Sequence, residues 1–212
     1  MSMQSEIDKV VEDFRQRAPA ELVGGWEQGV AKIAGLDLQA SAPAVGARAP
    51  EFRVPDLGGQ ERTLAELVSQ GPVVLKLIRG SWCPFCTIEF AAWKRAAPKL
   101  AKAGAKLVVV TPEKTGTAKQ SFEGEPFEVL LDADRTLAKA YGVHFELPDE
   151  LRALHTAFDF EPVNINQDEL PELPSPAIFL IDRTGVVRWR FVEANYTRRA
   201  DPEEVLKHLN SL

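Results

Sequence analysis

Three short apolar runs constrain this chain more than anything else in it: "PVVLKLI" (72–78), "AKLVVVT" (105–111) and "AIFLID" (177–182). The first is an apolar run of the kind that fills a strand buried on both faces. A helical pattern from Pro84 to about Gly104, with a kink or break expected at Pro98, joins it to the second. "FEVLLD" (127–132) reads as a further strand, with a helix around Arg135 to Tyr141 behind it. "AIFLID" and "VVRWRFVE" (186–193) flank the turn "RTG" and read as a hairpin. The final helix has a strong start signal, with Asp201 as N-cap, Pro202 at N1 and Glu204 at N3. That order predicts an α/β fold with a central mixed sheet covered by helices on both faces. In such folds the site lies at the C-terminal ends of the strands.

The flanks are simpler. Ile7, Val10, Val11 and Phe14 fall at helical spacing, and a second helical segment follows Pro19 with Leu22, Val23 and Trp26. Gly24-Gly25 blurs where that segment runs. "LQASAPAVGARAPEF" (38–52) reads as a linker. "EFRVPDLGGQERTL" predicts a hairpin turning at Gly58-Gly59. Thr63 and Glu66 have capping-box spacing for a helix ending near Gly71. The expected organisation is a helical extension and linker over 1–44 and a main domain over 45–212, with an insertion at about 142–175.

Both cysteines of the chain fall in one stretch, "RGSWCPFCTIEF" (79–90), after the first buried strand and at the start of a helix. A chain of 212 residues, 45% hydrophobic, can bury a core without a covalent staple. The N-terminus has no apolar signal core and no run approaches a membrane span, so a cytoplasmic protein is expected. Structural disulfides are rare there, which points Cys83 and Cys86 to redox chemistry or metal binding. Zinc needs four ligands, and His144, His155 and His208 have no ligand spacing with this single pair. Each His reads as a surface or packing residue. The net charge of −6 and the lack of a basic cluster argue against nucleic acid and anionic membranes as partners.

Pro84 suits the first helical turn, so the helix begins near Cys83, where its dipole favours a thiolate. Cys86, three residues on, lies on the same side and can resolve a species formed on Cys83. These considerations make Cys83 the more exposed sulfur and the nucleophile. Trp82 and Phe85 are expected to flank it and exclude water, and Arg79 to add positive charge.

"GSWCPFC" after "PVVLKLI" resembles the thioredoxin-fold active site. "APEFRVPDLGGQERTLAEL", "RGSWCPFCTIEF" and "SPAIFLIDRTGVVRWRFVEANYTRR" resemble the peroxiredoxin-like branch, the alkyl hydroperoxide reductase/thiol-specific antioxidant family, from about residue 45 to the end. The resemblance implies a thioredoxin-like fold and a thiol oxidoreductase that needs no cofactor. It implies reduction of hydroperoxides, or alternatively exchange with protein or small-molecule disulfides, with a thioredoxin- or glutathione-type reductant restoring the dithiol. On the peroxiredoxin pattern Cys86 takes the peroxidatic place, Cys83 that of a Thr, Arg79 that of a Pro, and Glu89 that of an acid. That reading makes Cys86 the attacker; the thioredoxin reading makes it Cys83. The peroxiredoxin arginine before the "AIFLID" strand is replaced by Pro176, which matches thioredoxin's cis-proline and implies a cis Ser175–Pro176 bond. Leu77 stands where thioredoxin has a buried acid, a role that Glu89 takes over or leaves vacant as a solvated residue.

Arg198 and Arg199 read as solvated charges rather than an anion site. The acidic insertion, with Phe145, Phe158 and Phe160, reads as a packed decoration rather than a lid or dimer contact. The apolar N-terminal helices suit packing on the domain or on a second subunit, so a homodimer is one expectation. A redox-sensing binding module is the rival from another class, and a purely structural thioredoxin fold the last.

Overall fold

The computed structural model describes residues 2–159 and 172–212. Two helices, α1 (Met3–Arg17) and α2 (Ala20–Ala34), precede a single-turn α3 (Leu38–Ser41). A short hairpin, β1 (Arg53–Pro55) and β2 (Glu61–Thr63), leads into α4 (Leu64–Gln70). The main run is β3 (Val73–Leu77), α5 (Pro84–Lys102), β4 (Lys106–Thr111), α6 (Thr115–Phe122), β5 (Glu128–Leu131) and α7 (Thr136–Ala140). Then come β6 (His144–Glu146), α8 (Asp149–Ala157), β7 (Glu172–Pro174), β8 (Ala177–Ile181), β9 (Val187–Val192) and α9 (Pro202–Leu209).

The central sheet has the order β5-β4-β3-β8-β9. β3 pairs in parallel with β4 and antiparallel with β8, in the register Leu75↔Val108 and Leu75↔Phe179. Every residue of β3 and β8 is buried, which is why both read as unbroken apolar runs rather than as alternating ones. Lys76 is the exception in that run, and it too is buried. The mixed sheet with flanking helices is the α/β, thioredoxin-like fold that the resemblance implies.

Local signals hold where their chemistry is self-contained. The capping box at α4 is complete: the Thr63 hydroxyl accepts from the Glu66 N–H, and the Glu66 carboxylate accepts from the Thr63 N–H. The Asp201 carboxylate caps α9. Pro98 does not break α5, which runs unbroken from Pro84 to Lys102. Proline removes one rung of the ladder, and Ala96, Ala97 and Leu100 bury the helix face on both sides of it.

The N-terminal helices lie on the domain. α1 contacts α5, and α2 lies along α8 of the insertion. Gly29 permits the second contact, since a β-carbon there would come within 2.5 Å of Leu151 Cγ. The linker is pinned to the edge strand β9: the Gly46 N–H donates to the Val187 carbonyl and the Val187 N–H to the Ala47 carbonyl. Arg190 on β9 donates to the carbonyls of Ala42 and Pro43 at 2.6 and 3.0 Å.

In the insertion, β6 and β7 form a small antiparallel ladder with Phe145 buried, whereas Phe158 is exposed. Phe160 lies outside the described residues. The expected cis Ser175–Pro176 bond is not present: the bond is trans. Ser175 continues the extended path of β7, donating its N–H to the Val143 carbonyl and its hydroxyl to the Glu193 carbonyl. Among the described residues no helix is long and apolar enough to cross a membrane.

Candidate active site: two sulfurs under two guanidinium groups

Cys83 is the N-cap of α5 and Pro84 its first residue, as the sequence implies. The loop before it is held from below. Glu113, fully buried, accepts hydrogen bonds from the Ser81 N–H (3.0 Å), the Ser81 hydroxyl (2.6 Å) and the Thr111 hydroxyl (2.7 Å). Gly80 has φ of 144°, and a β-carbon there would run into the Trp82 indole nitrogen. Only glycine lets the chain turn there and leave the indole in place.

The expectation that Cys83 is the more exposed sulfur fails. Both cysteines are free and both are completely buried. Phe85, also buried, packs near Tyr196 with ring centroids 6.0 Å apart, while Trp82 is half-buried and lies edge-on to His155. Both rings belong, with Tyr196, to the apolar wall of the cavity beside the pair.

Each sulfur faces an arginine. Arg79 Nη1 lies 3.8 Å from Cys83 Sγ. Its guanidinium is held over the rings of Tyr196 (4.0 Å) and Trp82 (5.0 Å). Tyr196 is in turn fixed by the Trp26 indole N–H, which donates to its hydroxyl at 2.8 Å. Arg199 Nη2 lies 3.9 Å from Cys86 Sγ. Arg199 is buried, which corrects its reading as a solvated charge; Arg198 is exposed, 3.6 Å from Asp8. Neither arginine comes from the strand edge that Pro176 occupies.

Glu89 is likewise no solvated helix residue. One carboxylate oxygen pairs with Lys76 at 2.5 Å and the other with Arg199 at 2.7 Å, and the Trp93 indole N–H reaches the first at 3.4 Å. All three charges are buried, so the row Lys76–Glu89–Arg199 ends at the Cys86 sulfur. Lys76 comes from β3, Glu89 from the second turn of α5 and Arg199 from the loop before α9. Spacing along the chain cannot reveal such a grouping, although a lone lysine inside "PVVLKLI" is the signal that a buried acid must face it.

These charges split the two thiols. Burial works against a Cys83 thiolate, but the hydrogen bond from Cys86 and the charges of Arg79 and Arg199 outweigh it and hold the pKa at about 5. The Cys86 pKa is pushed up, first by its hydrogen bond to Cys83, then by burial and by the Cys83 charge. The pair thus carries one thiolate, centred on Cys83, and one retained proton on Cys86. Burial lowers the Lys76 pKa. His155 is lowered to about 4 by burial and the Arg79 charge, so it is neutral at pH 7.

A thiolate at a helix N-terminus beside a second thiol, on a thioredoxin-like sheet, defines the class: a thiol-dependent oxidoreductase. The family model described as "AhpC/TSA family" matches residues 45–190, and the chain belongs to that family. The thiol-disulfide oxidoreductase ResA of Geobacillus thermodenitrificans is 25% identical over 175 residues, covering 81% of this chain and 80% of that protein. Among solved structures, the peroxidoxin BcpB of Mycobacterium tuberculosis superposes with a TM-score of 0.59 at 22% identity, over 80% of this chain and 98% of its own. The thiol peroxidase of Chromobacterium violaceum gives a TM-score of 0.59 at 20% identity, over 80% of this chain and 88% of its own. At those identities the structural likeness speaks for the fold.

Proposed function

We propose that the protein reduces hydroperoxides through the Cys83–Cys86 pair, with Cys83 attacking and Cys86 resolving. The observation that carries this reading is the place of Cys83, at the N-terminus of α5 with Arg79 Nη1 3.8 Å from its sulfur, which favours a thiolate there while Cys86, one turn in, keeps its proton. The Cys83 thiolate attacks the terminal oxygen of the hydroperoxide; the O–O bond breaks, Cys83 becomes a sulfenic acid, and the departing alkoxide or hydroxide takes a proton from solvent to leave as alcohol or water. Cys86 then attacks the Cys83 sulfur; a disulfide forms and water departs with the Cys86 proton. Arg199 steadies the negative charge that Cys86 gains as it gives up that proton. A thioredoxin- or glutathione-type dithiol or thiol pair returns two electrons and two protons.

Complete burial of both sulfurs favours an oxidant as small as a peroxide. The need for re-reduction favours a cytoplasmic setting. The unit over 45–212 is the redox domain on this reading, with 1–44 as its extension. Disulfide exchange is the second reading, favoured by the likeness to ResA. It has the same nucleophile but needs the buried Cys83 sulfur to become exposed to a larger substrate.

Stopped-flow fluorescence with Trp82 as reporter tests the proposal. Reduced protein mixed with hydrogen peroxide should change signal at a rate proportional to peroxide, far faster than a free thiol reacts. Cys86→Ser should keep that first step and accumulate a sulfenic acid; Cys83→Ser should lose it. The reverse pattern would hand the attack to Cys86. A rate like that of a free thiol, with fast reduction of oxidised glutathione, would establish disulfide exchange instead.

A further inference from the structure

Beside the redox pair lies a cavity of about 280 Å³, just under the ~300–1,000 Å³ usual for small-molecule sites. Val11, Phe14 and Trp26 of the N-terminal helices form one wall and Leu154 of α8 another, with Trp82 and Tyr196 beside the cysteines. Among the described residues that line it, Arg79 is the one charged side chain at neutral pH and none is acidic. It is 3% exposed. Its Nη1 is directed at Cys83, while Nε and Nη2 are buried with no hydrogen-bond partner among the described residues. A buried guanidinium edge with unused donors is costly to keep, and buried polar groups in folded proteins nearly always find a partner. The Nε–Nη2 edge matches the two oxygens of a carboxylate.

We propose that this cavity binds a small monocarboxylate with an apolar body, its head on the free edge of Arg79 and its body against the N-terminal helices and α8. A planar carboxylate uses both donors and brings one charge. A phosphate head would bring further charge and oxygens for which the described residues of the cavity offer no other cation. The ligand shares Arg79 with the Cys83 thiolate, so its binding slows oxidation of Cys83. That consequence rests on the thiolate reading above, whereas the binding does not.

The test uses the whole reduced chain with three probes, octanoate, 1-octanol and acetate, read by calorimetry and by the fluorescence of Trp26 and Trp82. Octanoate should bind at least about tenfold more tightly than either of the others, since a charge-assisted hydrogen bond is worth roughly 1.5–3 kcal/mol. Arg79→Gln should bring octanoate down to the affinity of octanol, and Phe14→Ser should weaken both. Should Arg79→Gln not fold, Arg79→Lys keeps the charge without the fork and should still lose octanoate affinity several-fold. Cys83→Ser should bind octanoate at least as well as the natural chain, which separates this site from the redox chemistry. Equal binding of octanol and octanoate, binding of neither, or octanoate binding untouched at Arg79 would each overturn the proposal.

Discussion

Cys83 and Cys86 are the same residue type, three positions apart and equally buried, yet their protons are held very differently. The difference comes from position on α5 and from which cation each meets. In the reduced protein, absorbance at 240 nm should show one thiolate appearing with a midpoint near pH 5 and a second only well above the ordinary thiol range. Arg79→Gln should move the first midpoint upward; a midpoint unmoved would place the stabilisation elsewhere. The lowered Cys83 pKa also stabilises the fold. That contribution is absent below pH 5, grows between 5 and the unfolded thiol value of about 8.5, and is complete above it. Stability relative to Cys83→Ser should therefore rise through that window. Glu89 is the counter-charge to Lys76 and Arg199, so Glu89→Ala leaves two cations buried and unpaired. Urea unfolding should show a loss of about 3–5 kcal/mol, smaller at high pH where Lys76 sheds its proton more easily. A loss under about 1 kcal/mol would mean that the row of charges is not a structural unit.

At the scale of elements, the signals that proved legible are those satisfied within a few residues. Thr63 and Glu66 cap α4 as their spacing demands, and Asp201 and Pro202 start α9. The Gly24-Gly25 pair, which blurs the sequence pattern, lies inside a continuous α2. What keeps α2 in place is its fit to α8, where Gly29 meets Leu151. Gly29→Val should force the helices apart and cost about 1–3 kcal/mol in urea unfolding. The double variant Gly29→Val/Leu151→Ala should recover part of that loss, and no recovery would show that the clash is not with Leu151.

At the scale of the whole molecule, the N-terminal extension completes the site. Gln4 on α1 accepts from the Arg199 N–H at 3.0 Å and donates to the Thr197 carbonyl at 3.2 Å, so α1 grips the loop that carries Arg199. Trp26 on α2 holds Tyr196 under Arg79. The linker covers the β9 edge and is tied there by Arg190. Arg190→Ala should speed amide hydrogen exchange in Met3–Ser41 by about tenfold or more while leaving β3, β4 and β8 protected. Faster exchange confined to β9 would show that the linker does not restrain the helices.

The sequence by itself determined the order of strands and helices, the caps, and the placing of a Cys-x-x-Cys pair after a buried strand, because periodicity and capping act between near neighbours. It could not determine that both sulfurs are buried, that Ser175–Pro176 is trans, or that Arg199 and Glu89 lie in the interior. Arg199 sits 113 residues from Cys86, and Lys76 and Glu89 belong to a strand and to the helix that follows it. Only the packing of α5 on the sheet, with the last loop folded over it, brings those charges together. Burial then makes them count, since the same arginine on a wet surface would leave a thiol close to its ordinary pKa.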